Sequence, residues 1–199
     1  MNQYFINNNN LESKIKEIKY SFNDIEFSFF TDLGVFSKDK IDYGSAFLTE
    51  VILKEGNGNY KTILDVGSGY GFIGIVLTKM LNANTTFSDV NKRALHLTKM
   101  NLKKNKLEGL VIESHAYNNI ENKYDLIVSN PPIRAGKKIV LEILENAKKH
   151  LNQNGELWFV IRKDAGAKSI VKKLESAYIV KNLEKSKGFY VYCAKMIDN

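Results

Sequence analysis

The chain has one cysteine, Cys193, and its three histidines, His96, His115 and His150, lie far apart. A single cysteine excludes a disulfide framework and a cysteine-based zinc ribbon, and the scattered histidines show no ligand spacing. No metal is therefore expected. No stretch approaches the ~18 consecutive apolar residues of a membrane span. Met1 to Asn10 has neither the basic region nor the apolar core of a leader. These absences predict a cytoplasmic chain that does not touch membranes. Linkers, repeats and a second domain are also missing, so the reading is one domain over 1–199. Within it, 1–17 is read as a flexible tail, 18–44 as a β extension with a pocket-covering loop, and 45–199 as the core.

What is present has the make-up of an ordinary globular domain. The 199 residues are 44% hydrophobic and 26% charged, and a chain of that size buries roughly 70% of its unfolded surface without a staple. Lys plus Arg number 29 against 22 acidic residues, a formal charge of +7. A Lys- and Asn-rich composition also follows from an AT-rich genome, so the charge carries little weight. It still ranks a polyanionic partner first.

The N-terminal pattern Ile18 to Phe22, Asn23-Asp24, Ile25 to Phe30 alternates around a two-residue turn and predicts a β-hairpin. After residue 60, strands and helices alternate every ten to fifteen residues. Strands are expected at 62–66, 85–89, 110–114, 124–129 and 156–161, and helices at 45–54, 72–81, 91–105, 137–151 and 168–176. A closing strand pair turns near Ser186-Lys187-Gly188. This is the signature of an open, mostly parallel, Rossmann-like α/β sheet with an antiparallel C-terminal edge.

Two constellations carry chemistry. In the first, the strand ending in Asp65-Val66 feeds Gly67-Ser68-Gly69-Tyr70-Gly71 at a helix N-terminus, where a ligand can approach bare backbone. Asp89 follows 24 positions later at the end of the next strand. There its carboxylate can accept both hydroxyls of a ribose. The competing structural reading makes Asp89 a plain helix cap. Gly69-Tyr70-Gly71-Phe72-Ile73-Gly74 also spells G-x-G-x-x-G, which keeps an NAD-type dinucleotide site open. Two features oppose that register: it starts two residues late, and Asp65 would repel a pyrophosphate but attract a ligand ammonium.

The second constellation is Ser129-Asn130-Pro131-Pro132-Ile133, which holds the only two prolines of the chain directly after a buried strand. Two prolines fix the backbone and remove two N–H donors. The Asn130 amide oxygen and neighbouring carbonyls are then expected to face the crevice unopposed. Such acceptors suit a planar exocyclic amine. The ordinary alternative is a strand-terminating turn.

Together, Asp65 to Gly71, Asp89 and Asn130-Pro131-Pro132 resemble the class I S-adenosylmethionine-dependent N-methyltransferases. Gly34 to Ser45 and Asn130-Pro131-Pro132-Ile133-Arg134 narrow the resemblance to the small-domain methyltransferases, a group that includes the bacterial guanine-N2 methyltransferases of small-subunit ribosomal RNA. The resemblance implies a seven-stranded sheet and S-adenosyl-L-methionine as cofactor. Asp65, Gly67, Ser68 and Gly69 would lie at its methionine end, Asp89 at the ribose and Val90 against the adenine. His115 and Ala116 would meet the adenine edge. Asn130 and Pro131 would hold the target amine. Phe36, Pro132, Ile133, Arg134 and Lys137 are the implied substrate side, with Asp42 and Gly44 in the covering segment.

Many relatives carry Tyr or Phe after the two prolines to stack on the target base, whereas this chain has Ile133. The implied substrate is ribosomal RNA or the small subunit, and the implied product a guanine methylated at N2. A protein glutamine amide, equally planar, is the alternative substrate, followed by an NAD-type or non-catalytic nucleotide-binding protein. Trp158 and the aromatic hairpin are expected in the core, and Cys193 buried and inert.

Overall fold

The computed structural model describes residues 12–197. The chain runs through β1 (Lys16–Phe22), β2 (Ile25–Thr31), α1 (Tyr43–Glu55), β3 (Thr62–Val66), α2 (Phe72–Leu81) and β4 (Asn84–Asp89). It continues through α3 (Lys92–Lys104), β5 (Leu110–Glu113), β6 (Tyr124–Ser129), α4 (Lys137–Asn146), β7 (Leu151–Arg162), α5 (Ala167–Leu174), β8 (Tyr178–Ser186) and β9 (Phe189–Met196). Seven strands form one sheet in the order β5-β4-β3-β6-β7-β9-β8. All its pairs are parallel except β7–β9 and β8–β9. The order reverses between β3 and β6, and in an open α/β sheet the ligand crevice lies at such a switch point, beyond the strand ends.

Strict alternation sends each strand's side chains to two cores. Leu126, Val128, Trp158 and Val160 join α1, α2 and α3 on one face. Ile127, Leu157, Phe159 and Ile161 join α4 and α5 on the other. A sheet covered on both faces needs apolar residues at every position of its central strands, which is why these segments read as unbroken hydrophobic runs. Trp158 and the β2 aromatics Phe27 and Phe29 are buried in the first core, as expected. Its one buried charge in β7 is well partnered: Glu156 accepts from Tyr60 Oη, from Trp158 Nε1 at 2.7 Å and from Lys195 Nζ at 2.7 Å. Burial pushes the Glu156 carboxyl up, but these hydrogen bonds outweigh it and hold the group below the ordinary carboxylate value. Cys193 lies beside it, buried, with its thiol pushed up to about 12 by burial and by the Glu156 charge. It is inert as a nucleophile.

β1 and β2 form a separate antiparallel sheet in which Phe22 pairs with Ile25. Asn23 and Asp24 both have positive φ, 46° and 61°, the requirement of the type I′ turn that closes a two-residue hairpin. Among the described residues, the outer edge of β2 meets no strand. Instead Asn101 of α3 accepts from Phe30 N at Oδ1 (2.6 Å) and donates from Nδ2 to Phe30 O (3.0 Å). Asn105 does the same for Ser28, at 3.1 and 2.8 Å. Asn101 Nδ2 also donates to Tyr70 O at 2.8 Å, which ties the hairpin to the glycine turn.

Three expectations are corrected. Of the 17 residues read as a flexible tail, 1–11 lie outside the described residues, while the rest are anchored. Ser13 Oγ and Lys14 N bond Asp32 at 2.8 and 2.5 Å, and β1 already starts at Lys16. The helix read over 137–151 stops at Asn146, passes through a 3-10 turn at Ala147–Lys149 and gives way to β7. Leu151 matched the helical spacing, but it pairs with Tyr124 across β6. The strand expected at 156–161 already begins at Leu151, and Asn154-Gly155 sits in a bulge within it, since the pairing jumps from Tyr124–Leu151 to Leu126–Glu156.

Candidate active site

The site begins where β3 ends. Gly67 N and Ser68 N both donate to Ser88 O at 2.8 and 3.0 Å, which turns the chain sharply upward. Gly67 and Gly69 have φ of +71° and +57°, conformations that a side chain strains, and a Cβ at either would face open space. Gly74, one turn into α2, is glycine for another reason: a Cβ there would lie 2.3 Å from the Phe87 ring. Its bare surface lets the helix sit close to β4, and Gly74 N donates to Asp65 Oδ2 at 2.9 Å.

Asp89 ends β4. Its Oδ2 accepts from Gly69 N at 2.8 Å and its Oδ1 from Asn91 N at 2.9 Å. The helix-cap reading of Asp89 does not hold, because Asn91 caps α3 by accepting from Arg93 N and Ala94 N at 3.0 and 3.2 Å. The Asp89 carboxylate lines the cavity and, with main-chain amides on only part of its lone pairs, keeps acceptor capacity. Burial raises its carboxyl above the ordinary value, against the pull of the Asn91, Gly69 and Val90 amides.

Asp65 is 1% exposed and does not line the cavity. Burial pushes it up to about 7, with the Gly74 amide opposing and the Asp89 charge adding. Its Oδ1 and Ser68 Oγ are, among the described residues, the buried side-chain polar atoms without a hydrogen-bond partner. Buried orphans of this kind are costly unless a ligand or water satisfies them.

One cavity of about 540 Å³ joins these strand ends, a size typical of small-molecule sites. Gly67, Ser68, Gly69, Asp89, Val90, His115 and Ala116 line it, together with Asn130, Pro131, Pro132, Ile133, Arg134 and Phe36. Lys137 is outside the lining, exposed, and donates to Ser169 Oγ at 2.8 Å. His115 is half exposed and its Nδ1 lies 3.4 Å from Glu142 Oε1.

The Asn-Pro-Pro turn departs from the expectation in one respect. Pro132, at φ −73° and ψ 80°, is the centre of an inverse γ-turn, so the Pro131 carbonyl already accepts Ile133 N at 2.8 Å. One lone pair of that oxygen is engaged; the other remains. Asn130 Nδ2 donates to Asp42 Oδ2 and to Ser45 Oγ, both at 2.9 Å.

Ser45, Asn91, Ala94, Arg162 and Phe189 also line the cavity and were not foreseen. Arg162 and Phe189 had a legible signal. The closing hairpin is antiparallel to β7, so the first residue of β9 must sit beside the last of β7, and Phe189 pairs with Arg162. The guanidinium lies 5.6 Å over the Phe189 ring and is held flat by both oxygens of Asp164, at 3.0 and 2.8 Å.

A reversing α/β sheet with a glycine turn, an acidic strand end and an Asn-Pro-Pro turn on one cavity defines a nucleotide-binding enzyme of the class I methyltransferase type. The methyltransferase small-domain family model matches residues 26–193, and the chain belongs to that family as an S-adenosylmethionine-dependent methyltransferase. The chain is 37% identical to the uncharacterized protein YbxB of Bacillus subtilis (strain 168) over 98% of both chains. It is also 37% identical to ribosomal RNA small subunit methyltransferase C of Buchnera aphidicola subsp. Schizaphis graminum (strain Sg), over 81% of this chain and 48% of that one.

Among solved structures, the T. thermophilus 16S rRNA N2 G1207 methyltransferase (RsmC), in complex with AdoMet and guanosine, superposes with a TM-score of 0.83 at 21% identity. It covers 94% of this chain and 52% of that one. The chain therefore spans about half the length of these ribosomal RNA methyltransferases and nearly all of YbxB. No helix among the described residues is long and apolar enough to cross a membrane.

Proposed function

We propose that this enzyme methylates an exocyclic amine of a nucleic-acid base, with guanine N2 in small-subunit ribosomal RNA as the substrate. The observation that carries the reading is Asn130: its amide hydrogens are spent on Asp42 and Ser45 at 2.9 Å, so its oxygen is the end left to accept from an amine. The names of the methyltransferase C relatives and the guanosine in the RsmC complex support the base and the RNA.

The residues present fit S-adenosylmethionine. Gly67 and Gly69 offer bare backbone, Ser68 Oγ and Asp65 Oδ1 are acceptors without partners, and Asp89 keeps capacity for a ribose. In this reading Gly67, Ser68 and Gly69 hold the methionine end, with Asp65 behind them. Val90, His115 and Ala116 bound the adenine. The cofactor supplies an electrophilic methyl group. Asn130 Oδ1 and the second lone pair of the Pro131 carbonyl accept the two N–H groups of the target amine. This turns its nitrogen lone pair out of conjugation and towards the methyl donor. The amine becomes acidic only as the new bond forms, and its proton then passes to solvent.

On the substrate side, Phe36 (50% exposed) and Phe189 supply the aromatic surface that Ile133 lacks, with Pro132 beside them. Arg134 and Lys137 flank the mouth as phosphate contacts. The test is methyl transfer from labelled S-adenosylmethionine to 16S RNA, assembled small subunits and total protein, followed by mass analysis of nucleosides. N2-methylguanosine in the RNA is expected. Label in protein alone would replace this reading with glutamine methylation.

A further inference from the structure

A primary amide has nearly the same shape either way round, so the neighbours of Asn130 decide whether nitrogen or oxygen faces the crevice. Those neighbours belong to the segment that enters α1. Asp42 caps that helix: its Oδ2 accepts from Ser45 N at 2.8 Å and Ser45 Oγ at 3.1 Å, while Ala46 N donates to Asp42 O at 3.0 Å. The same Oδ2 accepts from Asn130 Nδ2, 88 residues further along the chain. Ser45 Oγ, with its own proton given to Asp42, is free to accept the second Asn130 hydrogen. A flipped amide would set Asn130 Oδ1 against Asp42 Oδ2 at 2.9 Å, two acceptors with no proton between them. Close packing keeps the cap in place, because a Cβ on Gly44 would lie 2.8 Å from Phe189 and 3.1 Å from Asp42 Oδ2.

We propose that Asp42 is a positioning residue for the transfer step: with Ser45 it locks Asn130 so that an acceptor, never a donor, is presented to the substrate. This rests on the reading of Asn130 given above and extends it to specificity. A site fixed as an acceptor takes an amine and rejects a ring carbonyl, which would need the opposite orientation. Donation to a carboxylate also polarises the amide and makes Oδ1 the stronger acceptor.

The discriminating variant is Asp42→Ser. Serine is a good helix cap but too short to reach Asn130, so the fold survives and the lock is lost. In single-turnover transfer Asp42→Ser should lose roughly 10–100-fold in rate, the cost of a misaligned reacting group, while S-adenosylmethionine affinity stays within about twofold. Asp42→Asn, which keeps a side-chain oxygen at full reach, should recover part of the rate. On an Asn130→Ala background Asp42→Ser should cost nothing more. Equal losses on both backgrounds would mean a purely structural cap and overturn the proposal.

A second measurement needs no substrate. In the free protein the Asn130 side-chain amide protons, assigned through Asn130→Ala, should exchange slowly with solvent in the wild type and rapidly in Asp42→Ser. Protection unchanged in the variant would sink the lock even if RNA proves to be the wrong substrate. A wild type that methylates no RNA while the amide shows the predicted loss of protection would sink the substrate and leave the lock standing.

Discussion

Asp65 allows a prediction in which stability and ligand binding pull in opposite directions. Its carboxyl is fully buried, one oxygen bonded to Gly74 N at 2.9 Å and the other without a partner, and burial moves it from 3.8 to about 7. Between those values the folded protein holds a proton that the unfolded chain has lost. The contribution of this residue to stability is therefore full below the unfolded value, falls as pH rises towards about 7 and is level above it. The whole loss is at most about 4 kcal/mol, from 1.36 kcal/mol per pKa unit.

Asp65→Asn keeps an oxygen for Gly74 N and cannot ionise, so it escapes the loss. Relative to the wild type, the variant should gain Tm steadily between pH 4 and 8, by roughly 10 °C at the upper end, at ~2–4 °C per kcal/mol for a chain of this size. S-adenosylmethionine, whose ammonium would stabilise the ionised carboxylate, should then raise the Tm of the wild type at pH 8 far more than that of Asp65→Asn. Melting curves of both proteins across this range, with and without the cofactor, provide the assay. If the two Tm–pH profiles run parallel, Asp65 does not titrate as the burial argument requires.

Asp89→Ala should weaken S-adenosylmethionine binding by ~1–3 kcal/mol, because ribose hydroxyls would be buried without an acceptor; unchanged calorimetric affinity would move the ribose elsewhere. Glu156→Ala should cost ~2–4 kcal/mol of stability, since it leaves the buried Tyr60 and Trp158 donors without an acceptor, while Lys195 is solvated. As the Glu156 carboxyl is held low, its contribution is present above the ordinary carboxylate value and lost as pH falls through the folded value. Urea unfolding at pH 7 and pH 4 should show a smaller gap between variant and wild type at pH 4. RNA affinity should fall linearly with salt on a log–log plot, and Arg134→Ala or Lys137→Ala should each shallow the slope by ~0.7–0.9 without touching cofactor affinity. A slope that neither change alters would clear both residues of phosphate contact.

The elements that border the cavity were legible where local chemistry dictates them. β3 and β6 are apolar runs closed by turn residues, and the glycine turn needs its backbone whatever surrounds it. Asn130 was legible for the same reason, as an amide fixed beside two prolines. Its partners were not. Asp42 lies 88 residues away, and only the docking of α1 against the end of β6 brings them together. The hydrogen bond on the Pro131 carbonyl was not legible either, since the γ-turn that occupies it depends on the ψ of Pro132, which proline does not fix. At the end of α4 the apolar period continued through Leu151, and nothing local reveals that this side chain answers to Tyr124 rather than to its own helix.

The two amides that border β2 also limit which sequences this fold can accept. Asn101 and Asn105 answer to main-chain groups of Ser28 and Phe30, and main chain does not mutate. Residues 28 and 30 can therefore change without disturbing the seam, whereas 101 and 105 have almost no substitutes. Aspartate lacks the donor, leucine lacks both groups and glutamine overreaches by a methylene. The seam also occupies the outward main-chain groups of Ser28 and Phe30, so a foreign strand meets them already paired. Along this seam, tolerance to change lies in strand residues 28 and 30 and intolerance in the two amides at the C-terminal end of α3.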